Sequence, residues 1–219
     1  MRIKTTLLLA LQSFIFKKTS YGSPPYYYSV EPIQLASFIN ELERLQNIEG
    51  SILEVGVGRG MTTKFLCQHL STTDTSNTDY YAIDTFSGFI TDHLDHEVKN
   101  RGKKAFELKG FDFIDFEVWK SNFKSYPFLK AIKSDCSQLD FIDFFPIKFV
   151  FLDVDLYLPT KNALPKIYEQ LIPGGVIFVD DCRDGTSYDG AYQAFIEFCA
   201  EQSIEPKVIG SKCGVIYKQ

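Results

Sequence analysis

Apolar positions along this chain follow two alternating patterns. Short apolar stretches of strand length occur at Ser51–Val55 (SILEV), Tyr80–Ile83, Leu129–Lys133, Lys148–Leu152 and Val176–Val179. Between them lie segments with one apolar side. Leu35, Phe38, Ile39, Leu42 and Leu45 share a face over Ile33–Gln46, and helices are predicted over Thr62–Leu70, Thr160–Leu171 and Ala191–Gln202. Thr160 is the expected N-cap of its helix, and Pro173, Gly174 and Gly175 stop it. Strands at Lys207–Ile209 and Gly214–Lys218 close the chain, whereas residues 90–125 mix charge with aromatics and give weaker periodicity. A Pro- and Tyr-rich link (SYGSPPYYYSVEP, from Ser20) and a polar loop (STTDTSNTD, from Ser71) separate the elements. Strands alternating with helices predict an α/β fold: a doubly wound, mainly parallel seven-stranded sheet with helices on both faces.

Two of the apolar strands end in acid. Lys148–Leu152 runs into Asp153 and Asp155, and Val176–Val179 into Asp180 and Asp181. Strand alternation would point Asp153 and Asp155 to the same side, where like charges repel unless a cation or a proton joins them. If the two strands are neighbours, four carboxylates meet at the end of the sheet where ligands of doubly wound folds collect. A hard divalent cation such as Mg²⁺, which takes oxygen ligands, suits such a cluster.

Composition narrows the classes. At 219 residues and 25.0 kDa the chain has the size of one domain, with 45% hydrophobic and 23% charged residues. Its net charge of -5 offers no basic footprint for nucleic acid. Five cysteines, odd in number and never spaced as CxxC, indicate reduced thiols and a cytoplasmic compartment. The start, MRIKTTLLLALQSFIFKK, resembles the early part of a signal peptide, but it has no cleavage site and ends in Lys17 and Lys18. It is also shorter than the roughly 20 residues a membrane-spanning helix needs. An amphipathic helix packing on the body or on a partner subunit is expected, with a membrane-surface role as the alternative. Residues 1–50 thus read as an N-terminal helical arm or lid on a domain of residues 51–219, and a homo-oligomer through the first helix is expected.

The turn after the first strand, EVGVGRG (Glu54–Gly60), is rich in glycine. The dinucleotide fingerprint GxGxxG would need glycine at position 61, which is Met61. The pattern E-x-G-x-G-x-G instead resembles the first motif of class I S-adenosylmethionine-dependent methyltransferases. That resemblance implies that Glu54, Gly56, Gly58 and Gly60 form the cofactor turn and that Asp84, ending the second strand, accepts the ribose hydroxyls. It also implies that Asp135, after the third strand, lies at the adenine. DTFSGF (from Asp84), DVDLYLPTKNALPKIYEQLIPGG (from Asp153) and VDD (from Val179) together resemble the macrocin O-methyltransferase family of metal-dependent sugar and natural-product O-methyltransferases. The family implies Asp153, Asp180 and Asp181 as metal ligands, Asp155 as general base and a small-molecule hydroxyl as acceptor.

Two other classes share parts of this pattern. FLDVDLYL resembles the nucleophile motif of haloacid dehalogenase-type phosphohydrolases, although Tyr157 stands where that motif has Thr or Val. A non-catalytic cofactor-binding protein would retain the turn but give four acids no purpose. His93 and His96 are spaced three apart, which could suit a metal, but read as a solvated face, as does the basic run Arg101–Lys104, and Trp119 and Tyr157 read as core residues, with the acceptor site as the alternative place for them.

Overall fold

The computed structural model describes residues 2–19, 26–73, 78–112 and 114–219, with side chains from Thr6 onward. The first part of the Pro- and Tyr-rich link and the middle of the polar loop lie outside the described residues. The chain runs α1 (Arg2–Lys18), α2 (Pro32–Arg44), β1 (Ser51–Val55), α3 (Met61–Leu70), β2 (Tyr80–Asp84) and α4 (Thr91–Arg101). It continues α5 (Phe116–Phe123), β3 (Leu129–Lys133), β4 (Ile147–Leu152), α6 (Tyr157–Gln170), β5 (Leu171–Val179), α7 (Gly190–Glu201), β6 (Lys207–Ile209) and β7 (Cys213–Tyr217).

One seven-stranded sheet has the order β3-β2-β1-β4-β5-β7-β6. Strands β1 to β5 are parallel, while β7 pairs antiparallel with β5 and β6 antiparallel with β7. The sheet is therefore mixed at one edge rather than parallel throughout, because the short turn from β6 to β7 can only join antiparallel strands. Every residue of β1 and β4 is buried, as continuous apolar runs in a sheet covered on both faces should be. On one face Phe38 of α2 is fully buried, its ring 4.7 Å from that of Phe151 and 4.8 Å from that of Phe178. On the other, Ala163, Leu164 and Ile167 of α6 pack with Phe195 and Phe198 of α7 against β4 and β5.

Several local expectations are corrected. Thr160 does not cap α6; it lies in the first turn and its hydroxyl donates to the Leu156 carbonyl at 2.8 Å, while extended Leu156 holds the cap position. The fifth strand begins at Leu171, before Pro173 and the two glycines. Residues 90–125 hold α4, closed by Gly102 in the left-handed region at φ 70, and α5, capped by the Asp115 carboxylate accepting the Val118 N–H. The weak period over α4 has a cause: its buried residues are His93 and Glu97, so the inward side of this helix is polar.

The basic run after α4 is not a solvated face. Arg101 donates to Glu97 at 2.7 Å and to Asp189 at 2.6 Å, and Lys103 lies 2.7 Å from Asp189, so the pair ties α4 to the start of α7. In α1 the apolar residues surround the helix rather than forming one stripe. Leu7, Leu8, Leu9, Leu11, Phe14 and Phe16 are all exposed, so packing on the chain's own body is not how they are covered. No helix of the described residues is long and apolar enough to cross a membrane.

Phe38 makes the helix α2 part of the core. Phe38→Ala is expected to lower unfolding free energy by about 3–5 kcal/mol, read from urea melts. A loss below about 1 kcal/mol would mean that α2 is a detachable arm.

Candidate active site

The carboxyl ends of β1, β2, β4 and β5 open into a cavity of about 370 Å³, and neighbouring strand tips are stitched by main-chain bonds. Gly56 N–H donates to Ile83, Asp153 N–H to Val55 at 2.7 Å, and Asp180 N–H to Leu152 at 2.9 Å. Strand order reverses between β1 and β4, so the cavity lies where doubly wound folds bind ligands.

The glycine turn forms one wall. Gly56, Gly58 and Gly60 all have positive φ, 85°, 48° and 84°. They are excluded from carrying side chains for different reasons. A Cβ on Gly56 would lie 1.7 Å from the Asp153 carbonyl oxygen, whereas one on Gly58 would meet only the Phe111 ring at 3.9 Å. Gly56 is thus required by the fold, and Gly58 leaves space beside the cavity. Below the turn Glu54 is buried and accepts a hydrogen bond from the Tyr80 hydroxyl. Burial pushes its carboxyl up to about 7, with the Tyr80 bond opposing that shift.

Asp84 stands at the end of β2 beside the turn. Its Oδ2 accepts the Val57 and Gly58 N–H groups at 2.8 and 3.2 Å, and its Oδ1 accepts that of Phe86 at 2.8 Å. The carboxylate therefore shapes the turn, and these three N–H groups leave one lone-pair direction on Oδ1 for a further donor. Asp135 closes its own turn by accepting from the Ser137 N–H and hydroxyl at 2.9 and 2.8 Å, and it too lines the cavity. His93 borders the same corner, with Nε2 3.5 Å from the Ser137 hydroxyl. His96 points elsewhere and stacks on Tyr157, so the two histidines do not form a pair of ligands. Trp119 is buried against Phe123, and Tyr157 donates to Glu197; neither lines the cavity.

The acids form the opposite wall. Leu152 pairs with Val179, so the residues after both strands emerge side by side. Asp153, Asp155 and Asp181 each offer an oxygen within 4.8 Å of the others. Strand alternation is not what brings Asp153 and Asp155 together, because β4 ends at Leu152. Asp155 and Asp181 instead adopt the left-handed region, at φ 61° and 55°, which turns the chain sharply at both tips. Asp180 lines the same cavity but is not one of the trio: its Oδ1 accepts from Gln34 Nε2 at 2.8 Å and its Oδ2 pairs with Lys212 Nζ at 2.7 Å.

Burial first, and the neighbouring carboxylates second, hold Asp153, Asp155 and Asp180 above the ordinary carboxylate range. Burial disfavours the Lys212 ammonium, but Asp180 and Asp181 outweigh it and raise its pKa. Tyr27, Phe89, Phe111 and Tyr188 also line the cavity, with the Phe89 ring 5.5 Å from Phe111 and 6.2 Å from Tyr188. Gln34, Lys212 and this aromatic wall carry no signal in the sequence, because nothing in their local pattern separates them from core or surface residues.

A carboxyl whose folded pKa is raised contributes stability below its unfolded value and loses it as pH rises toward the folded value. For Glu54 that window runs from 4.5 to about 7, and Asp153, Asp155 and Asp180 act in the same sense from 3.8 upward. His93, whose pKa burial lowers, opposes them with one group. The melting temperature in EDTA is therefore expected to fall between pH 5 and pH 8. A rise across that range would contradict the buried state of these acids.

Comparison with known proteins agrees with this geometry. The family model for macrocin O-methyltransferase (TylF) matches residues 33–218. A tetracenomycin rhamnosyl 4'-O-methyltransferase of Streptomyces olivaceus is 27% identical over 162 residues, which is 66% of this chain and 60% of that relative. Among solved structures, the O-methyltransferase NovP superposes with a TM-score of 0.72 at 18% identity, covering 98% of this chain and 99% of its own. The calicheamicin methyltransferase CalS11 gives 0.68 at 15% identity, covering 98% and 92%. These likenesses show a class I methyltransferase fold, and the match over residues 33–218 leaves the phosphohydrolase reading without support. Over residues 33–218, from α2 through β7, the chain is a member of the macrocin O-methyltransferase (TylF) family.

Proposed function

We propose that the protein transfers a methyl group from S-adenosylmethionine to a hydroxyl of a sugar or sugar-bearing natural product, with a divalent ion at the acid cluster. The observation that carries this reading is the meeting of the glycine turn, Asp84 and the acid cluster in one cavity. The donor set fits a hard cation: all its atoms are carboxylate oxygens, and Asp153 and Asp181 offer theirs within 4.8 Å of each other, with Asp155 equally near to act as base. The open space at Gly58 fits a cofactor lying along the turn.

When bound, S-adenosylmethionine supplies a methyl activated by its sulfonium, and the ion supplies charge that orients the acceptor oxygen and lowers its pKa. The chain's own residues do the rest. Glu54, Gly56, Gly58 and Gly60 form the cofactor turn, Asp84 receives the ribose hydroxyls and Asp135 borders the adenine. Asp153 and Asp181 would hold the ion, and Asp180, outside the compact trio, would join as the third ligand by sharing or giving up its contact with Lys212. Asp155 accepts the acceptor's proton, help that is typically worth about 10² to 10⁴ in rate. Tyr27, Phe89, Phe111 and Tyr188 supply flat apolar surface for one face of the acceptor and exclude water from the reacting atoms.

The relatives support a sugar acceptor. The Streptomyces olivaceus protein is named for methylating a rhamnosyl group, and CalS11 is described as a TDP-rhamnose 3'-O-methyltransferase. In this reading the expected arm of residues 1–50 divides: α2 belongs to the core of the domain, and exposed α1 meets a second copy of the chain. The five free, buried cysteines support a cytoplasmic setting, where thiols stay reduced.

Two variants test the assignment. Gly58→Val should keep a cooperative melt yet lose binding of S-adenosylhomocysteine by calorimetry; unchanged affinity would remove the cofactor from the turn. Asp155→Asn, a residue type that tolerates the left-handed backbone, should keep cofactor binding while turnover of a rhamnosyl acceptor falls by about 10² or more. Normal turnover would move the base to another carboxylate.

A further inference from the structure

Lys212 is part of a closed circuit of polar contacts that reaches the acid cluster from outside it. The circuit starts at Glu31, before α2, whose carboxylate accepts the Ser211 N–H at 2.8 Å and the Ser211 hydroxyl at 2.6 Å. The next residue, Lys212, places Nζ 2.7 Å from Asp180 Oδ2 and 3.0 Å from Asp181 Oδ1. Asp180 Oδ1 accepts from Gln34 Nε2 at 2.8 Å, and Gln34 Oε1 accepts the Glu31 N–H at 2.7 Å, which closes the ring. Gln34 is fully buried, and the Lys212 carbonyl is held by the Cys182 N–H at 2.6 Å. The lysine arm is therefore fixed at its main chain and at its neighbour, and only its ammonium end can readily move.

The charges explain why it is there. Asp153, Asp155, Asp180 and Asp181 crowd one end of the sheet, and Lys212 is the cation paired with two of them. Each oxygen of Asp180 already has one partner, Gln34 on one and Lys212 on the other, so an ion recruiting Asp180 must use the second lone pair of an oxygen and share that carboxylate with Gln34 or with the ammonium. A divalent ion that recruits Asp180 or both oxygens of Asp181 takes these carboxylates from the ammonium.

We propose that Lys212 is the resident counter-ion of the acid cluster: its ammonium holds Asp180 and Asp181 when no divalent ion is bound, and lysine and ion compete for these carboxylates. Gln34 is a positioning residue in this device, because it keeps one oxygen of Asp180 fixed while the other changes partner. The inference rests on the metal reading of the site. Its consequence is that Lys212 weakens ion affinity while stabilising the unliganded protein.

The test uses the full chain and Mn²⁺ alone, titrated by electron paramagnetic resonance, with melting followed in EDTA and in saturating Mn²⁺. Lys212→Met is expected to bind Mn²⁺ about 10-fold more tightly or better, the effect of removing one adjacent competing charge. It should melt below the wild type in EDTA, with the gap narrowing in Mn²⁺. Lys212→Arg, which keeps the charge, should bind Mn²⁺ within a few-fold of the wild type.

Equal or weaker Mn²⁺ binding by folded Lys212→Met would overturn the proposal, since a lysine that competes with the ion for these carboxylates must raise its affinity when removed. A Lys212→Met protein that folds only with Mn²⁺ present would support it, because the ion then replaces the ammonium. Absence of saturable Mn²⁺ binding to the wild type would instead remove the metal reading on which the proposal rests.

Discussion

The pairing of Leu152 with Val179 sets the problem that the rest of the structure answers. These residues end two adjacent parallel strands, so the segments leaving them emerge at the spacing of neighbouring strands, about 4.8 Å. Those segments carry Asp153 and Asp155 on one side and Asp180 and Asp181 on the other. The sheet cannot separate them without giving up its register, and that register buries Phe149, Phe151, Ile177 and Val179. Cohesion of the apolar core thus holds like charges together, and the site must be neutralised by protons, by Lys212 or by a bound cation.

Segments near the two ends of the chain share a role in that neutralisation. Helix α2 is anchored by Phe38 in the core and delivers Gln34 to Asp180, while the antiparallel turn between β6 and β7 delivers Lys212. Glu31 and Ser211 clasp these two segments to each other. The mixed edge of the sheet is therefore connected to the chemistry: a short antiparallel turn can return to the tip of β5. The close approach at Gly56 fixes the glycine turn against the carbonyl of Asp153, so turn and acid wall cannot drift apart.

The sequence pattern and the structure agree on most of the strands and helices that an apolar period predicts, though not on the cap of α6 or the start of β5. The apolar runs locate β1, β4 and β5, and Met61 alone separates the turn from a dinucleotide site. Motif resemblance reaches the family as well. What cannot be read along the chain is which partner a polar group finds in space. Asp180 and Asp181 are adjacent and look equivalent, yet one is held by Gln34 from 146 positions away. Lys212 has no motif, Arg101 and Lys103 look solvated until α7 brings Asp189 to them, and Thr160 looks like a cap until α6 starts three residues earlier.

The central claim is that one cavity holds a nucleoside at Asp84 and a divalent ion at the tips of β4 and β5. A crystal grown with Mn²⁺ and S-adenosylhomocysteine tests it directly through anomalous scattering. The account predicts one Mn²⁺ peak within about 2.5 Å of carboxylate oxygens of Asp153 and Asp181, with the ribose hydroxyls at Asp84. A nucleoside bound as described, with no anomalous peak among the four acids, would contradict it.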